Sequence, residues 1–97
     1  MASSKELTTI AAAGTSLVLE GVGNYVVITN LNGAGYASFS TSAAPGSASS
    51  GEGLVGLAAA PGARAFLPAS RDTSGTVTVY GKASADLVAS FELVHLT

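Results

Sequence analysis

The chain contains no cysteine and no tryptophan among its 97 residues. The first absence excludes disulfides, zinc–thiolate sites and thiol catalysis. The second removes the side chain best suited to stacking on sugars or cations. Charge is nearly as scarce. Four Lys and Arg and six Asp and Glu make up 10% of the residues, where a soluble domain ordinarily carries roughly 25%. Lys5, Arg64, Arg71 and Lys82 form no run, so the clustered cations that a phosphate backbone requires are missing, and no nucleic-acid partner is expected. No apolar stretch approaches the roughly 18 residues of a membrane-spanning helix, and no membrane partner is expected. The start, Met1-Ala-Ser-Ser-Lys5-Glu6, leads into a mixed stretch unlike the apolar core of a secretory signal. Synthesis and folding in a cytoplasm is the expectation.

What the chain has instead is small residues. Ala, Gly, Ser and Thr account for 52 positions, and 28 larger apolar residues must supply the core. A chain of this length makes one domain. At roughly 1.5–3 kcal/mol per fully buried large side chain, those residues leave little margin over chain entropy, so burial against partners would add much. Charge depletion also marks the centres of protein interfaces. Both features favour a surface covered in part by other molecules over a Ser/Thr-coated surface solvated without charge.

The pattern along the chain is that of strands. Residues 1–6 read as a polar arm and 7–10 as a short strand; together 1–13 form an arm with its first strand, and 14–97 the main domain. Over 15–20, Leu17 and Leu19 share one face, with Ser16 and Val18 on the other. The β-branched and aromatic run 24–30 is the strongest strand and is expected to be central and covered on both sides. Asn32-Gly33 follows, the best short-range hairpin signal, and predicts pairing with 35–41. Segment 42–53 has no apolar side chain larger than Ala or Pro and reads as a mobile exposed loop. Leu54 to Leu57 reads as a further strand before the Pro61-Gly62 turn, with a short helix over 54–60 as the alternative. Strands are expected at 63–67, at 76–80 with Val77 and Val79 inward, and at 86–96 with Leu87, Ala89, Phe91 and Leu93 inward; 81–85 reads as a loop. About eight short antiparallel strands at this spacing make an all-β fold, a single small β-sandwich or jelly-roll-like barrel.

Nothing in the pattern assembles a catalytic centre. His95, the sole histidine, lies two residues from the end with no Gly-x-Ser-x-Gly elbow in the chain. The six carboxylates are scattered, and no three-ligand metal motif is present. Gly21-x-Gly23 precedes a strand and reads as a turn, not a phosphate cradle. No cofactor is implied, and a non-enzymatic role is expected. An exposed Tyr36–Tyr80 pair would be the only hint of glycan binding. The candidates for an assembly interface are Leu7, Ile10, Tyr36, Phe39 and Phe66.

Val26-Val-Ile-Thr-Asn30-Leu-Asn-Gly33, then a Ser/Thr strand, an Ala/Gly-rich loop, Ala65-Phe-Leu-Pro-Ala69 and Thr76-Val-Thr-Val-Tyr80, resemble the layout of small β-sandwich virion proteins of tailed bacteriophages, the capsid decoration proteins among them. The resemblance spans about residues 15–96. It implies a protein that cements the outer surface of a phage head, with the major capsid protein and copies of itself as partners, commonly as a homotrimer, and with residues 1–13 as an arm along the shell. It implies a virion location. A receptor- or glycan-binding module, or another neck, tail or fibre component, is the alternative.

Overall fold

The computed structural model describes residues 4–41, Pro45 and 55–96. Eight strands are present: β1 (Lys5–Ile10), β2 (Thr15–Leu19), β3 (Tyr25–Asn30), β4 (Ala37–Ser40), β5 (Val55–Leu57), β6 (Arg64–Pro68), β7 (Val77–Ala83) and β8 (Leu87–Val94). They form two four-stranded antiparallel sheets, ordered β1-β8-β3-β6 and β2-β7-β4-β5. The all-β sandwich expected from the spacing is the fold observed. Between Leu54 and Ala60 the described residues hold a strand, not a helical turn; Gly56 and Pro61 deny a helix the length it needs to repay nucleation. The expected loop at 42–53 and the first three residues of the arm lie outside the described residues, Pro45 excepted.

Only β4 and β5 are consecutive in the chain and paired with each other. At every other step the chain crosses from one sheet to the other. The hairpin expected at Asn32-Gly33 is therefore not formed: β3 pairs with β6 and β8, and β4 with β5 and β7. Asn30 explains the difference. Its side chain is fully buried, where an unmet amide would be costly. It donates to the carbonyls of Gly35 (3.0 Å) and Ala58 (2.9 Å) and accepts from the Gly33 N–H (2.9 Å). This turns the chain out of one sheet into the other and ties the β5–β6 connection to the same corner. Gly33 has φ 67°, and a Cβ there would stand 2.6 Å from Pro61 Cδ, so glycine is required at this corner.

The core lies between the sheets, where alternate residues of each strand meet. Leu87, Ala89, Phe91 and Leu93 of β8 and Val77 and Val79 of β7 are all buried, as their alternation predicts. β7 runs on through Gly81 to Ala83, past the point where the sequence reads as a loop. Gly81 stays in the strand because it lies opposite Phe39 of β4, whose ring occupies the space a side chain would take. Phe39 in turn meets Phe91 of the facing sheet edge-on, ring centroids 5.5 Å apart at 74°, a favoured aromatic geometry. Ile10 closes the same cluster, fully buried.

Candidate functional site

Two outer faces are left once the core is closed, and they differ. On the sheet β2-β7-β4-β5, Ser38 and Ser40 are buried although they alternate with the inward-pointing Ala37 and Phe39. Pro45 is also buried and lines a cleft of about 270 Å³ with Ser16, Tyr80 and Lys82. The chain itself covers part of this face. A second cleft of about 250 Å³ lies on the other side of Tyr80, bounded by Thr41, Arg71, Asp72 and Thr78.

The polar groups of that second cleft are engaged in holding a turn. The Asp72 carboxylate accepts from the N–H groups of Ser74 (2.8 Å) and Thr76 (3.1 Å) and from the Thr76 hydroxyl (2.8 Å). The Thr76 hydroxyl and N–H, with the backbone N–H groups of Ser74 and Gly75, hold this exposed carboxyl below its ordinary value of 3.8. Arg71 donates to the carbonyls of Gly75 (2.9 Å) and Gly23 (2.7 Å), fastening the turn to the β2–β3 connection. These charges bind backbone groups and the Thr76 hydroxyl, and so hold the turn. Tyr36 lies on the same sheet but four residues from Ser40, the partner of Tyr80, a separation of ~13 Å along a strand. The two tyrosines form no stacking pair.

The outer face of β1-β8-β3-β6 mixes apolar and charged side chains. Strand register places its side chains in rows: Lys5, Glu92, Val27 and Phe66; then Leu7, Ser90, Thr29 and Arg64; with Val94, Tyr25 and Pro68 flanking the first. Phe66 is 46% and Leu7 65% exposed, while Tyr25, Val27 and Val94 are half-buried. The expectation that β3 is covered on both sides is corrected here: Val26 and Ile28 face the core, and Tyr25 and Val27 face outward.

The five interface candidates fall into three places. Leu7 and Phe66 share this outer face on its two edge strands, three strand spacings apart and two residues out of register, a separation of ~16 Å. Tyr36 is exposed just before β4 of the opposite sheet, its N–H donating to the Ser84 hydroxyl and its carbonyl accepting from the Ser84 N–H. Ile10 and Phe39 are fully buried and pack the core, so they are not contact residues. Tyr25, Val27 and Val94 are the members of the face that sequence reasoning missed; the alternation of Tyr25 and Val27 against Val26 and Ile28 was the available signal.

His95 is exposed beyond the end of β8. Its neighbour Leu96 is held by Asn24, whose side chain both accepts from the Leu96 N–H (2.7 Å) and donates to its carbonyl (2.8 Å). Among the described residues, no three of the His, Asp and Glu side chains gather into a metal-binding group. The chain matches no family model, and no significant match is found among curated proteins or solved structures.

Proposed function

We propose that this protein is a non-enzymatic structural component of a virion, a cement-type protein that docks on the outer surface of a phage head. The observation that carries the reading is the outer face of β1-β8-β3-β6. Phe66, Val27, Tyr25 and Val94 form an apolar patch there, bordered by Glu92 and Arg64, with Leu7 standing apart on the far edge strand. The adjacent charges Arg71 and Asp72, which a catalytic or ligand-binding reading of the second cleft would use, are engaged by backbone groups and by Thr76. The resemblance of residues 15–96 to decoration proteins gives the class of assembly. In such a role, each copy gains by covering apolar area on the capsid protein, and many copies stiffen the shell together.

The experiment is to mix the purified chain with empty shells of the virus that encodes it. Saturable binding to the outer surface is expected. Absence of binding, with a response on a glycan array, would replace this reading with the receptor-binding one.

A further inference from the structure

We infer that two copies of this chain join through β1, antiparallel, to continue the sheet β1-β8-β3-β6 into its copy. The Leu93 N–H donates to the Ser4 carbonyl (2.8 Å), and β1 pairs with β8 in the register Lys5↔Glu92. In an antiparallel ladder, residues alternate between turning both backbone groups toward the partner strand and turning both away. Ser4, Glu6, Thr8 and Ile10 therefore face β8, and the N–H and C=O groups of Leu7 and Thr9 point out from the sheet edge. Leu7 also carries its side chain, 65% exposed, on the outer face.

The other three edges are less able to accept a strand. β5 has three residues. β6 ends in Pro68, and the Asn30 N–H bonded to the Ala63 carbonyl places Arg64, Phe66 and Pro68 in the outward phase, so the last offers no donor. β2, at five residues, is one residue shorter than β1, and its Ser16 borders the cleft beside Pro45. β1 is six residues long and has no proline.

The occupant is a second copy because the strand is complementary to itself. With the two-fold axis at Thr8, Leu7 of each copy lies opposite Thr9 of the other, and four backbone hydrogen bonds close. Each Leu7 then reaches the other diagonally across the outer face. Lys5 and Glu6 stand at one end of β1; antiparallel pairing sends the two charged ends apart, whereas parallel pairing in register would set Glu6 against Glu6. This pairing rests on backbone geometry alone and stands independently of any shell.

The test is the mass of the full chain in solution, by light scattering across a concentration series, for the wild type and Leu7→Pro. The Leu7 N–H faces outward, so proline there removes no bond to β8. A two-copy species is expected for the wild type, and Leu7→Pro is expected to weaken it by about ten- to a hundredfold through two lost hydrogen bonds. A wild type that stays a monomer, or a mass of any multiple that Leu7→Pro leaves unchanged, overturns the inference. Should Leu7→Pro fail to fold, amide exchange on the wild type decides. Leu7 and Thr9 are expected to exchange slowly when concentrated and rapidly on dilution; fast exchange at both concentrations overturns it.

Discussion

Gly81 of β7 lies directly opposite Phe39 of β4, and a Cβ at position 81 would stand 2.5 Å from the Phe39 ring. The glycine is the space into which the ring fits, and the ring reaches from there to Phe91 in the facing sheet. Gly81→Ala is thus expected to destabilise the fold by about 1–3 kcal/mol through overpacking. Urea unfolding of the variant would measure it, and combining it with Phe39→Leu should recover part of the loss. Simple additivity of the two changes would contradict the contact.

Asn30→Ala removes the partners of the Gly33 N–H and of the Gly35 and Ala58 carbonyls at once. Only the Gly35 carbonyl is left in a fully buried setting, where an unmet group costs about 1–3 kcal/mol, and the two part-buried groups add less, so a loss of about 2–4 kcal/mol is expected in the same assay. Asn30→Asp retains the acceptor for Gly33 but sets carboxylate oxygen against two carbonyls. Its stability should rise on acidification, as the carboxyl takes up a proton it can donate.

Acid should act on the turn at Asp72. Because its carboxyl is held below 3.8 in the fold, the stabilisation it gives is fully present above that value. It is lost as pH falls through the lower folded value. The amide resonances of Ser74 and Thr76 should move together in that range, and Asp72→Asn should abolish the titration. Movement of both amides at the same pH in Asp72→Asn would assign the effect elsewhere.

The strands were readable from the sequence because their side chains alternate. Val77 and Val79, and Leu87 through Leu93 at every second residue, announce both the strand and its inner face. Pairing was not readable. Asn32-Gly33 has the local chemistry of a hairpin, and only the burial of Asn30 between distant carbonyls turns it into a crossover. Ile10 and Phe39 were candidates for contact because large apolar side chains among Ala, Ser and Thr look alike whether they fill a core or cover a surface. The strand position of Gly81 likewise depends on a ring from another strand, which no local window contains. The outer face of β1-β8-β3-β6 has the same difficulty. Phe66, Val27 and Val94 come from three strands, and only the order β8-β3-β6 makes them neighbours.

Phe66 tests that face without disturbing the core. Its side chain is 46% exposed on an edge strand, and Phe66→Lys is expected to alter stability by no more than about 1 kcal/mol. Thermal melting of the variant beside the wild type checks this. A larger loss would make Phe66 a packing residue.

The central claim is that this face docks on a shell. Its most direct test is co-sedimentation of the chain with empty shells, wild type against Phe66→Lys, across a range of concentrations. The wild type is expected to saturate at a fixed number of copies per shell, with Phe66→Lys left in the supernatant although folded. A wild type that never sediments with shells, or a Phe66→Lys variant that binds as well as the wild type, would contradict the account.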